Sequence, residues 1–390
     1  MKIWAGPITG AIRLGVLAVV VALAGVACTP VQPATGPSPD DAPRSAEPAY
    51  AGAGPYDVGV RTVELSDRSM EVWYPVDRGD IDGHARDSYR IRSFVSGAFE
   101  QLIDPSVDPV YETNAVRDAP VASSGHFPLV LFAHGFASFR LQSSELTTHL
   151  ASWGFVVISP DFLDRGLKAV LGEPPAVSRS DQQVTEEAIN AMRSIAADPA
   201  SGFHGTLDAW KVYPVGHSAG GGTAVSLLSR PDVPSAVALA SGFMVSSLTQ
   251  GTFTPAFDKP IMWVGGRDDH IDPIDDVRLA FSRSAGERKL VEITSGHLNG
   301  FTDICEIGDG GIAALARATQ LPIPDFLLQL GDDGCPTPPN LASPQVWPTL
   351  NHFVTAELRY RSGLDSQPVG LGSGVTAAFP GTLVDYRHTP

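Results

Sequence analysis

Residues 212–225 read Val-Tyr-Pro-Val-Gly-His-Ser-Ala-Gly-Gly-Gly-Thr-Ala-Val. A short apolar run breaks into glycine around a single serine and then into small residues suited to the start of a helix. The pentapeptide Gly216-His217-Ser218-Ala219-Gly220 fits G-x-S-x-G, and its setting reads as strand, tight turn, helix. Such a turn holds Ser218 in a strained, exposed position, and its glycines allow backbone to approach where a Cβ would clash. The helix start behind it favours developing negative charge.

Working outward, further short and nearly continuous apolar runs occupy 129–133, 155–159, 237–240, 261–264 and 290–293. Runs of this kind, like 212–215 itself, suit parallel strands buried on both faces. Helical stretches separate them. Ser144 is placed to cap a helix presenting Leu146, Leu150 and Trp153, and 181–197 puts Val184, Ala188, Met192 and Ile195 on one stripe. Residues 347–361 offer Leu350, Phe353, Val354 and Leu358, with Pro348 suited to a first helical turn. Ahead of them, 58–65 and 70–74 alternate as two antiparallel strands. The alternation specifies an α/β fold: a mostly parallel sheet with helices on both faces. Residues 77–126 read as a polar, irregular insertion with a helical middle at 89–102. Pro214 implies that the strand ladder ends by Tyr213 or is bulged there.

A nucleophilic serine needs a base and an acid at later strand ends. The run 261–264 ends in Gly265-Gly266-Arg267-Asp268-Asp269-His270-Ile271-Asp272-Pro273, and the run 290–293 ends in Thr294-Ser295-Gly296-His297. Of ten histidines, His297 is the candidate base; His134 and His217 flank other turns, His352 lies in a helical stretch and His388 near the C-terminus. Asp268, Asp269 and Asp272 are all placed to be the acid. The run 129–133 ends in His134-Gly135-Phe136, a turn that aims the Phe136 amide at the same point as the Ala219 amide. Such a pair would make an oxyanion hole.

With these residues in hand, the chain from about 58 to 361 resembles the α/β-hydrolase superfamily. Within it, the chain is similar to dienelactone-hydrolase-like, platelet-activating-factor-acetylhydrolase-like and cutinase-like polyester hydrolases. The cutinase-like G-x-S-x-G-G-G turn matches 216–222, and its D-x-I-x-P acid matches 269–273, which selects Asp269. A Ser-Gly-His segment supplies its base, matched by Ser295-Gly296-His297, and its aromatic oxyanion residue corresponds to Phe136. The family's Met after the nucleophile is Ala219 here, and the Trp flanking polymer-binding clefts corresponds to Phe243. Dienelactone hydrolases proper use Cys where this chain has Ser218. The resemblance implies a serine esterase of lipase type, with Ser218, Asp269 and His297 catalytic, Phe136 and Ala219 on the oxyanion, and Phe136 and Phe243 on substrate. No metal or organic cofactor is required. The rival readings are a serine peptidase on the same fold and a non-catalytic surface lipoprotein.

Composition bounds the rest. The 390 residues carry a formal charge of −16, and so acidic a chain lacks the clustered cations that nucleic acid demands. Residues 1–27 hold Lys2, Arg13 and a short apolar run, the pattern of a secretory signal peptide. The exit Leu23-Ala-Gly-Val-Ala-Cys28 resembles a bacterial lipobox with Cys28 as the lipidated residue, so contact with a membrane is expected only through that anchor. Residues 28–55 contain seven prolines and read as an extended tether. The hydrolase domain is expected over 56–365, with insertions near 77–126 and 298–343, and a Gly-rich tail over 366–390. Cys305 and Cys335 are expected to bridge in an oxidising compartment and to pin the second insertion over the site mouth, with Phe301 and 322–330 as its walls. The expected protein is exported, monomeric, and acts on a small-molecule or lipid ester.

Overall fold

The computed structural model describes residues 46–243, 258–335, 338 and 340–390. The signal peptide, Cys28 and the tether as far as 45 lie outside the described residues.

Eleven strands form one sheet: β1 (Asp57–Glu64), β2 (Ser69–Val76), β3 (Arg86–Arg90), β4 (Val110–Arg117), β5 (Phe127–Ala133), β6 (Val156–Pro160), β7 (Leu207–His217), β8 (Ala236–Leu239), β9 (Ile261–Gly266), β10 (Arg288–Ile293) and β11 (Leu383–Thr389). Their order is β11-β10-β9-β8-β7-β5-β6-β2-β1-β4-β3. The six strands from β10 to β6 are mutually parallel and correspond to the six apolar runs. β1 and β2 pair antiparallel as their alternation requires.

The helices of eight or more residues among the described residues are α1 (Ser144–Ser152), α2 (Asp181–Ala197), α3 (Ala219–Ser226), α4 (Ile274–Arg283), α5 (Gly311–Ala318), α6 (Asp325–Asp332) and α7 (Ser343–Ser362). Successive strand residues point to opposite faces. Val130, Phe132, Met262 and Val264 therefore pack with Leu146, Leu150, Phe353 and Val354 of α1 and α7. Leu129, Leu131, Ile261 and Trp263 pack instead with Val184, Met192 and Val277 of α2 and α4. Both faces are covered, which is why these strands carry so few polar residues.

Several expectations are corrected. Residues 77–126 contain the β3–β4 pair, which extends the sheet. Its alternation is obscured because the inward positions include Asp87 and Thr113, buried and hydrogen-bonded to one another at 2.9 Å. Of 89–102, only a 3-10 turn at Ile91–Phe94 and a single turn at Gly97–Glu100 are helical. Residues 366–390 are not a tail, since β11 pairs antiparallel with β10 as an edge strand. Its side chains are mostly polar and partly exposed, with Val384 among the exposed ones, so no continuous apolar run marks it. Residues 46–55 are not tether either. Tyr50 is buried, its amide donates to His352 Nδ1 at 3.2 Å, and its ring meets Trp153 edge-on. α7 starts earlier than its apolar pattern, so Pro344 takes the first turn and Pro348 lies inside the helix. The β7 strand runs through Pro214, which pairs with Leu131 of β5, while the β8 ladder begins one residue later at Val215.

α1 begins without a side-chain bond from its cap, Ser143. Ser144, the expected cap, is its first residue. Asp303 caps the helix from a distant loop, accepting the Ser144 amide at 2.6 Å and the Glu145 amide at 3.2 Å. Burial pushes the Asp303 carboxyl up to about 8.

Candidate active site

β7 delivers Ser218 and α3 leaves it. Ser218 sits at φ 54°, ψ −123°, a region L-residues rarely occupy, so the turn stores backbone strain. Its amide donates to the Leu239 carbonyl at 2.8 Å, and its carbonyl accepts from Gly221 N at 2.9 Å and Ser241 Oγ at 2.7 Å. The turn is thus pinned to β8 on one side. A Cβ on Gly216 would run into the Gly220 carbonyl, and one on Gly220 into that of Ala133. That is the physical reason for glycine at both positions.

Four residues past the end of β10 stands His297, which is 1% exposed. Its Nδ1 lies 2.8 Å from Asp269 Oδ2. The other Asp269 oxygen accepts the Ile271 and Asp272 amides at 2.8 and 2.7 Å, which fixes the orientation of the carboxylate. The neighbouring acids point elsewhere. Asp268 pairs with Arg267. Asp272 accepts the amides of Gly242 (2.6 Å) and Phe243, and burial pushes its pKa up to about 6. His297 Nε2 is buried and has no hydrogen-bond partner. A buried orphan of this kind is costly unless a reaction uses it.

Three residues with no sequence signal complete the arrangement. Asp333, from the loop before Cys335, accepts the His297 amide at 2.6 Å. Gln142 accepts the Gly135 amide at 2.9 Å through Oε1, which turns its Nε2 toward His217 Nδ1 at 3.0 Å. His217, the variable residue before the nucleophile, then carries its proton on Nε2 and donates to the His297 carbonyl at 3.0 Å. Burial, with His297 close by, holds the His217 pKa well below its ordinary value. Their roles follow from contacts between remote loops, which no spacing encodes.

The turn after β5 lies against the nucleophile. A Cβ on Gly135 would stand 3.3 Å from both Ser218 Cβ and His217 Nδ1. Phe136, the next residue, is 44% exposed, and Phe243 on the β8 side is 52% exposed. The Ala219 amide belongs to the first turn of α3, where N–H groups have no intrahelical partner. His134, by contrast, is structural. Its Nε2 accepts the Phe162 amide at 2.9 Å, and burial lowers its pKa to about 3.

Residues 114–317, more than half of the chain, match the family model described as PETase, PET hydrolase-like. The chain belongs to the PET hydrolase-like family. Ser218, Asp269 and His297 all fall within the matched residues. Membership makes the chain an α/β-hydrolase-fold protein of the polyester-hydrolase and cutinase-like group, an ester hydrolase by family.

The insertion after His297 departs from expectation in one respect. Cys305 and Cys335 are bonded, as expected. Phe301, however, is buried and stacks on His217 at 5.8 Å. It packs on the side chain that precedes Ser218 rather than walling a mouth. Among the described residues, no group of three or more His, Cys, Asp or Glu is placed to hold a metal.

Proposed function

We propose that this protein cleaves carboxylic esters through an acyl-enzyme on Ser218. The observation that carries the reading is His297, clamped by Asp269 at Nδ1 while Nε2 is kept free of any partner. Such a histidine is oriented to take one proton and hold it.

In the first half-reaction Ser218 Oγ attacks the ester carbonyl as its proton passes to His297 Nε2. Asp269 fixes the tautomer and stabilises the imidazolium. The carbonyl oxygen becomes an oxyanion, received by the Phe136 and Ala219 amides and the positive end of α3. Collapse breaks the bond to the alkoxy group, which leaves as the alcohol with the proton from His297. Water then attacks the acyl-serine, gives its proton to His297, and releases the carboxylic acid and Ser218. Phe136 and Phe243 line the approach as an aromatic rim.

The leader and Cys28 support an exported, lipid-anchored enzyme, for which loss of palmitate incorporation in Cys28→Ala is the check. Catalysis is tested by Ser218→Ala and Asp269→Asn on p-nitrophenyl butyrate. The first variant should be inactive and unlabelled by a fluorophosphonate probe. The second should lose roughly 10³–10⁴ in kcat. Retained activity in Ser218→Ala would remove the assignment.

A further inference from the structure

Behind the oxyanion turn lies a cavity of about 90 Å³ lined only by apolar residues. Ala137 forms part of its wall and is the residue after Phe136, about 3.8 Å away along the chain. Gly331 forms another part and stands two residues before Asp333, whose carboxylate holds the His297 amide. The cavity therefore touches both the loop assigned to the oxyanion and the loop that positions the base.

Its remaining walls come from the two insertions and from the segment after β6. Ile103 belongs to the first insertion, Ala316 and Leu327 to the second, and Leu171 follows β6. Ile103 and Leu327 lie outside the residues matched by the family model. The second insertion is braced. The Cys305–Cys335 bond closes the second insertion, and Arg317 Nη1 meets Asp332 Oδ1 at 2.7 Å, tying α5 to α6. A cavity held open this way, without one polar side chain, offers nothing to water, a sugar or a charged group.

We infer that the cavity seats a linear alkyl chain carried by the ester whose carbonyl lies at Ser218. This deepens the ester-hydrolase reading and rests on it. The chain belongs either to the acyl or to the alcohol part, and paired substrate series separate the two. Each added methylene that enters the cavity raises kcat/KM roughly three- to fourfold until it is full.

The test measures kcat/KM for p-nitrophenyl esters from acetate to decanoate, and for acetate esters of alcohols from ethanol to decanol. One series should rise at least tenfold over this range and then level. Ala316→Phe, which fills the cavity, should erase the rise beyond butyl length, and Leu327→Ala, which enlarges it, should move the plateau one or two carbons longer. A flat profile in both series, or profiles unmoved in the two variants, overturns the cavity assignment while leaving the ester-hydrolase reading in place. If no ester is turned over, that reading fails separately. Calorimetric binding of decanoate to Ser218→Ala then decides the cavity: binding lost in Ser218→Ala/Ala316→Phe supports it, and no binding overturns it.

Discussion

The Nε2–H of His217 donates to the backbone carbonyl of His297 at 3.0 Å. His217 thus holds the main chain of His297, and Gln142 fixes which ring nitrogen does so. Gln142→Glu keeps an acceptor for Gly135 but removes the donor to His217 Nδ1. His217 must then either carry its proton on Nδ1 and leave Nε2 bare against a carbonyl, or become protonated at both nitrogens. The expected result is a kcat reduced roughly ten- to a hundredfold near neutral pH with little change in KM, a loss of about 1.4–2.7 kcal/mol in transition-state stabilisation. Activity should recover relative to wild type as pH is lowered, because doubly protonated His217 satisfies both partners. A pH profile of kcat that keeps the wild-type shape would argue against the relay.

Gly220 packs its Cα against the backbone of β5, with no space for a Cβ beside the Ala133 carbonyl. Gly220→Ala should destabilise the protein by roughly 2–4 kcal/mol and displace Ser218. Urea unfolding, followed together with fluorophosphonate labelling, should show both losses.

The Cys305–Cys335 bond closes a loop of 30 positions that carries α5, α6 and Asp333. Its removal in Cys305→Ser/Cys335→Ser should cost about 3–4 kcal/mol by loop-closure entropy. Because Asp333 holds the His297 amide, activity should fall at temperatures where the global fold is still intact. Parallel thermal melts and rate measurements, with and without reductant, check the order of the two losses.

His352 accepts the Tyr50 amide at Nδ1 and donates from Nε2 to the Gly370 carbonyl at 2.9 Å. Burial lowers its pKa to about 4, and lowers that of His149 to about 4 as well. Folded values below the unfolded 6.5 mean that the unfolded chain binds more protons between pH 6.5 and 4. Stability is therefore full above pH 6.5 and is lost as pH falls toward 4, by on the order of 3 kcal/mol for His352 alone. Asp272, raised to about 6, and Asp303, raised to about 8, act in the opposite sense, since each binds more protons folded than unfolded as pH falls toward 4. The His352 contribution is isolated by comparing variants: between pH 6.5 and 4 the melting temperature of His352→Gln should shift less toward low values than that of the wild type, and identical pH profiles would argue against it.

What the sequence discloses here depends on where each segment lies relative to the sheet. Strands buried on both faces have no choice but to be apolar, so β5 to β10 are legible as runs and their order follows from the intervening helices. β3, β4 and β11 are not, because ion pairs or solvent satisfy half of their side chains and leave no period to read. At the site, Ser218 and His297 announce themselves by turns at strand ends, and the resemblance singles out Asp269 from its neighbours. Gln142, His217 and Asp333 act through backbone groups of other loops. Nothing in their own surroundings in the chain distinguishes them from ordinary polar residues. Tyr50 is hidden for the opposite reason: one aromatic among prolines and alanines carries too little apolar surface to predict packing.

The strain at Ser218 has a consequence for how this enzyme ages and evolves. A serine at φ 54° is held there by its surroundings, and glycine would occupy the same backbone without penalty. Ser218→Gly should therefore be inactive yet at least as resistant to unfolding as the wild type. Selection for durability alone would favour glycine at position 218, so a serine there fits the proposed role as nucleophile.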